Sequence, residues 1–446
     1  MNEVIEKTYR SGRKARRISE NSHEELNRCR PSLPMVLMLL AILCFVYPPM
    51  LDKMENASVV LSFLAALRYL ISIGAIVALI VRQHDGLLVA SLFLFELMVV
   101  TSSILNETVY LTYALSCLTF VGFVALNCEL YRYDGRALIV TYKYVLASFL
   151  ILDFVTRVLY PQGMVAGYAG DNRVWFLGGK TRLPLYLVAY AFFVLVDLEG
   201  KAREAKTKDV FLLGLVCVLS LYIPSSVTVI VVTFVALFAM IRLSRKKTWM
   251  PNKVFATGVL LFFIVFVLMG ENNFFNNLIG AILGKDPSFS GRQNIWKMAL
   301  LMIGESPWGI GPEASFNPWS NQTIYVYSAH NTFLDIAVRS GIATAIVFAA
   351  MFLTIVFRCT KKSSEGNIVA FFLVLALLAS MMESNQGYYI LWVLISFGVL
   401  EATVGIRPYP RSPNGSSTKR LLPCHGEMAA CSVSFANRRT KRRVTR

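Results

Sequence analysis

Charge and histidine are scarce in this chain. Asp, Glu, Lys and Arg make up 16% of its 446 residues, and there are only four histidines. With 56% hydrophobic residues and a mean hydropathy of +0.56, that composition reads as bilayer-embedded. The eight cysteines (Cys29, Cys44, Cys117, Cys128, Cys217, Cys359, Cys424, Cys431) include no pair with zinc-type spacing, which argues against a structural metal. The chain lacks an internal repeat, and no small-residue cleavage pattern follows its first apolar stretch, so that stretch is expected to be a retained span. The Gly309-Ile-Gly311 glycines have neither a preceding strand nor a following Lys-Ser/Thr, which excludes a nucleotide-binding loop and leaves a turn.

Apolar runs, by contrast, are plentiful. Stretches able to cross about 30 Å of hydrocarbon fall at 34–51, 58–81, 86–105, 109–128, 138–160, 183–198, 209–223, 227–241, 254–270, 340–357, 367–383 and 387–405. The expected fold is therefore an all-α integral membrane protein of about 12 transmembrane helices. Basic residues orient it, because Lys and Arg in short loops stay on the cytoplasmic side. With both termini inside, inner segments carry 33 of the 44 Lys and Arg, outer segments 8 and spans 3. This frame gives a basic cytoplasmic tail over 1–33, a transmembrane domain over 34–405 with a long outer interval at 271–339, and a basic, disordered cytoplasmic tail over 406–446. The outer segments then contain no cysteine and so no disulfide framework. The net charge of +17 is explained by topogenesis and anionic lipid at the inner leaflet, and no nucleic-acid partner is expected.

The outer interval 271–339 is where chemistry is expected. It holds Ser290-Gly-Arg-Gln-Asn-Ile-Trp296, Glu305-Ser-Pro-Trp-Gly-Ile-Gly311 and Ala329-His-Asn-Thr-Phe-Leu-Asp335. His330 is the only histidine facing outward in this topology. Asn331 is able to cap a helix whose apolar face is Phe333, Leu334, Ile336 and Ala337. A helix N-terminus disfavours imidazolium, which keeps His330 able to accept a proton, although a histidine that merely caps a loop end fits the same pattern. Ser290 and Gln293 have capping-box spacing, placing Arg292 in a first turn where a guanidinium can grip phosphate bidentately or simply snorkel at the membrane surface. The outer loop 161–182 adds Arg173, Lys180 and Arg182, three cations that call for an anionic partner such as diphosphate or lipid headgroups. Arg68, Lys143, Asp153 and Arg157 lie within spans, where charge is costly unless paired or lining a polar cavity; Asp153 and Arg157 are spaced to neutralise each other.

In order, Gly291-Arg292 with Trp296, Pro307-Trp-Gly-Ile-Gly311, and His330-Asn331 with Gly341 and Thr344 form a pattern that resembles the bacterial O-antigen ligase and polysaccharide polymerase family. Trp175-Phe-Leu-Gly-Gly-Lys180 resembles a segment of an earlier outer loop in those polymerases, with Thr181 where Asn is common. The resemblance implies a fold like that of the polytopic glycosyltransferases of the GT-C type. It also implies transfer of glycan from a polyprenyl diphosphate carrier to an acceptor sugar hydroxyl at the outer face of the plasma membrane, without metal, nucleotide sugar or other cofactor. On that reading Arg292, Lys180 and Arg182 hold the diphosphate, with Arg173 nearby. His330 is the base, Asn331 orients it or the sugar, and Arg339 adds to the cationic site. Membrane lipid and the chain-length regulator and flippase of the same pathway are the implied partners. The acceptor is a second carrier-linked repeat for a polymerase and lipid A core for a ligase. A transporter or lipid-linked sugar flippase of about twelve spans is the alternative from another class; it is disfavoured because the long interval follows the ninth span and faces out.

Overall fold

The computed structural model describes residues 33–82, 86–107, 111–165, 173–198, 203–222, 226–244, 257, 292–312, 328–360 and 364–406. The span expected at 254–270, the two tails and Ser290 with Gly291 lie outside the described residues. The described chain is helical. In order it forms α1 (Leu33–Phe45), α2 (Ser58–Val81), α3 (Gly86–Leu105), α4 (Leu111–Leu159), α5 (Leu183–Leu198), α6 (Arg203–Leu221) and α7 (Ser226–Ser244). In the outer interval come α8 (Arg292–Glu305) and α9 (Thr332–Ser340), followed by α10 (Ile342–Cys359), α11 (Ser364–Met381) and α12 (Tyr389–Thr403). Two expected spans, 109–128 and 138–160, run together as α4, broken only where Asp134 leaves helical geometry at φ −155° and ψ 87°. Among the described residues five helical stretches meet both the length and the hydropathy needed to cross a membrane, and shorter apolar helices accompany them. The described residues are those of an all-helical membrane protein.

The centre of the bundle is α5. Every one of its residues is buried, so it must pack on all sides against other helices rather than lipid. Phe192 and Phe193 meet Phe397 of α12 edge-on, and Tyr142 of α4 stacks on Phe193 at 4.8 Å. At the opposite extreme, α2 turns Val59, Phe63, Leu70, Val77 and Val81 outward, as expected of a helix with one face toward hydrocarbon.

Lys143 and the Asp153–Arg157 pair find charged partners within the bundle. Lys143 donates to Asp197 at 2.5 Å and to Asp209 at 3.2 Å, tying α4, α5 and α6 together. Arg157 pairs with Asp153 at 2.7 Å, the neutralisation that the one-turn spacing predicts. The pair also has a second task, because the other Asp153 oxygen accepts from Leu177 N at 2.8 Å and Arg157 lies 4.2 Å from the Trp175 ring. A buried charge pair thus fastens the segment 173–182 onto the end of α4.

Candidate functional site

The candidate site is assembled from α8, the glycine turn that follows it, α9 and the residues after α11. Trp296, 2% exposed, packs with Ala299, Met302, Ala329, Leu334, Val338 and Met382 into a small separate core. Arg292 lies one helical turn before Trp296 and therefore on the same face of α8, directed toward the segment that follows Met382. Arg292 is the first described residue of α8, and the capping box expected at Ser290 lies outside the described residues.

Pro307-Trp-Gly-Ile-Gly311 closes the far end of α9. Ile310 N donates to Val338 O at 2.9 Å and Gly311 N to Arg339 O at 3.0 Å, supplying partners for helix-end carbonyls that the helix itself leaves unsatisfied. Ile342 N returns a bond to Pro307 O at 2.9 Å. Gly309 (φ +91°) and Gly341 (φ +92°) face each other so closely that a Cβ on Gly309 would lie 2.6 Å from Arg339 O, and one on Gly341 2.8 Å from Trp308 O. Both the left-handed backbone and the contact require glycine. Ser102 of α3 adds a hydroxyl bond to Trp308 O and to Arg339 O.

At the near end of α9, Asn331 is the N-cap. Its side chain accepts from Phe333 N at 3.0 Å and Leu334 N at 3.1 Å and donates to Met381 O at 3.0 Å, and the residue is 0% exposed. Asn331 caps α9 as expected, and its amide joins α9 to α11. Asp335 holds the same turn from within: it accepts from Ala329 N at 2.9 Å, from Arg339 Nε at 3.0 Å and from the Gln386 amide. Arg339 is thereby engaged by Asp335 and also reaches Pro312 O. His330 sits between these fixed points with φ +47°, a left-handed conformation costing about 1–3 kcal/mol that persists only where its surroundings enforce it.

The imidazole held this way meets Glu383. Nδ1 of His330 is 2.9 Å from Glu383 Oε1, and Arg292 Nη2 is 3.5 Å from Oε2. Thr181, at the position where the resembling family often carries Asn, offers its hydroxyl to the same carboxylate. The His330 side chain keeps 36% of its surface exposed while that of Glu383 keeps 13%, so the imidazole bridges a buried anion and open space. Burial pushes Glu383 upward, but His330, Arg292 and Thr181 more than offset it, and its carboxyl is held below the usual range. Burial lowers Arg292 from its ordinary value, against the opposing pull of Glu383.

Glu383 was not among the sequence candidates, because the apolar run 367–383 placed it at the end of a span. The helix stops at Met381, and the next residues turn into the site. Of the loop cations, Arg182 stacks 4.1 Å from the Tyr388 ring, over a Gly178 whose missing Cβ leaves room for it. Lys180 is exposed beside it. Arg173 points away from this group and donates to Pro161 O at 3.1 Å. Arg182 and the intramembrane Arg68 line one cavity of about 230 Å³, together with Asp52, Tyr186, Tyr388 and Tyr389. Both guanidiniums lie over aromatic rings, Arg68 over Tyr47 and Tyr389 and Arg182 over Tyr388. A second cavity of about 210 Å³ shares Ser116, Phe120 and Gly387 with the first and adds Glu96, Arg339 and Gln386. Among the described residues no group of three His, Cys, Asp or Glu side chains is placed to hold a metal ion.

A half-exposed imidazole thus rests against a buried carboxylate, with Arg292 on the other oxygen of that carboxylate. Residues 210–349 match the family described as O-antigen ligase, so this part of the chain is similar to that family. The match includes α8, the glycine turn, His330 and α9, while Glu383 and the loop 173–182 lie outside it. No curated protein matches the chain.

Proposed function

We propose that the protein transfers glycan from a polyprenyl-diphosphate-linked donor to an acceptor sugar hydroxyl at the outer face of the plasma membrane, polymerising repeat units of a cell-surface polysaccharide. The observation that carries this reading is the His330–Glu383 contact at 2.9 Å. With Nδ1–H donated to the carboxylate, Nε2 is left as the basic nitrogen toward open space, the arrangement a general base requires. In the reaction, the acceptor oxygen bonds to the donor's anomeric carbon as the bond from that carbon to the diphosphate oxygen breaks. The acceptor proton passes to His330 Nε2, and the diphosphate leaves with the bonding electrons.

A diphosphate is already a good leaving group, so the remaining work is to hold it and stabilise the charge it gains. Arg292, Arg182 and Lys180 are assigned that role. The ion pair with Glu383 engages one nitrogen of Arg292, and a guanidinium's five N–H donors leave others for phosphate oxygens. Asn331 and Arg339 act one step back by fixing the turn that carries His330. Both termini are assigned to the cytoplasm and the site to the opposite face, in a bundle of about twelve spans. No cofactor enters this scheme.

The test is reconstitution of the full chain in proteoliposomes with a lipid-linked oligosaccharide donor. Lengthening of carrier-linked glycan with release of polyprenyl diphosphate supports the proposal. Glycan appearing only on added lipid A core would make the protein a ligase, and movement of donor across the bilayer without new glycosidic bonds would make it a flippase.

A further inference from the structure

Four side-chain oxygens on consecutive residues have no role in that reaction. Glu383 Oε2, Ser384 Oγ, Asn385 Oδ1 and Gln386 Oε1 are all buried and lack a hydrogen-bond partner. Glu383 Oε2 has Arg292 beside it, but Gln386 Oε1 has no such compensation. A buried carbonyl oxygen left this way costs about 1–3 kcal/mol, so such atoms signal a missing ligand. The amide nitrogen of Gln386 is committed to Asp335, which fixes the side chain, and the residue lines the 210 Å³ cavity. Across that cavity lies Glu96 of α3, 7% exposed, a carboxylate inside a span whose hydrogen-bond partner is the thiol of Cys117. An ionisable group at that depth marks function more often than architecture.

The cavity therefore presents Gln386 Oε1 and Glu96 as acceptors beside the hydroxyls of Tyr113 and Ser116, among aromatic walls from Phe95, Tyr113 and Phe120. Hydroxyl groups on a ring with an apolar face are the chemistry that complements it. Its volume is roughly that of seven waters in the liquid, enough for a ring rather than a single solvent molecule. Its shared wall with the arginine-lined cavity places a hydroxyl-rich ring next to a diphosphate.

Resting on the transferase reading, we infer that the 210 Å³ cavity is the subsite for the sugar directly attached to the donor diphosphate, with Gln386 Oε1 and Glu96 accepting from its hydroxyls. Asp335 couples this subsite to the base, since it binds Gln386 with one oxygen and fixes Ala329, the neighbour of His330, with the other. Sugar selection and base placement then share one carboxylate.

The test is binding to the full chain in phosphatidylcholine nanodiscs, with farnesyl diphosphate and its glucosyl and galactosyl esters as probes. At least one sugar ester should bind the wild type about tenfold or more tightly than farnesyl diphosphate itself, the order of a satisfied charged hydrogen bond. Glu96→Gln and Gln386→Leu should each erase most of that increment while leaving the affinity for farnesyl diphosphate within about twofold. Equal binding of all three probes by the wild type, or an undiminished increment in both folded variants, overturns the subsite. The transferase reading fails separately: an intact increment in a protein that forms no glycosidic bond in proteoliposomes contradicts the reaction and preserves the subsite.

Discussion

Replacing Glu383 by Gln isolates what a buried negative charge does for His330. The substitution keeps volume and keeps an oxygen to accept from Nδ1–H, so the 2.9 Å contact survives while its charge is removed. When His330 takes up the acceptor proton, the imidazolium loses an ionic partner. A hydrogen bond to a charged group contributes about 1.5–3 kcal/mol, and each 1.36 kcal/mol is tenfold in rate. Transfer by Glu383→Gln should therefore fall about ten- to 150-fold at saturating donor, in proteoliposomes containing matched amounts of inserted protein. Stability should change with pH in a defined direction. In the folded protein the Glu383 carboxyl is held below its ordinary range. Its contribution is complete above the unfolded value near 4.3 and is lost as pH falls through the depressed folded value. Thermal melts taken downward from pH 7 should show a steeper acid loss for wild type than for Glu383→Gln. Wild-type turnover by the variant would refute the coupling of carboxylate to base.

Three further outcomes follow from the frame around the site. Gly309→Ala should destabilise the outer region by at least about 1–2 kcal/mol, since a left-handed Ala would press on Arg339 O at 2.6 Å; a melt unchanged from wild type would contradict the back-to-back glycine contact. Asn331→Ala should lower the melting temperature by removing an N-cap worth about 1–2 kcal/mol and the bond to Met381 O, and an unaltered melt would mean that the cap contributes nothing. A cysteine placed at Asn321 in a cysteine-free background should react with an impermeant maleimide in intact cells, whereas protection there with labelling at Ser416 would invert the topology.

The sequence made the helices legible because lipid imposes one simple rule, an unbroken apolar run, and the described helices follow those runs. It also made His330, Arg292 and the glycine turn legible, since each sits where a helix begins or a backbone must bend. Glu383 was hidden by the same rule that revealed the helices: a carboxylate at the edge of an apolar run reads as a span end, and only the stop at Met381 releases it into the site. Asn331 carried a true capping signal beside a functional one, and both its oxygen and its amide went to the cap and to α11. Arg173 and Arg182, equal in sequence, part company because Gly178 opens space for one and the Pro161 carbonyl takes the other. Pairings between residues 53 positions apart, such as His330 with Glu383, leave no local trace.

The account stands most directly on proton transfer by His330. In proteoliposomes with a lipid-linked donor, His330→Gln retains hydrogen bonding but cannot take up a proton at neutral pH, so it separates a base from a group that only positions the acceptor. Loss of transfer by about two to four orders of magnitude in both His330→Ala and His330→Gln, with the protein inserted and donor accumulating, is the predicted result. Near wild-type transfer by the Gln variant would contradict it.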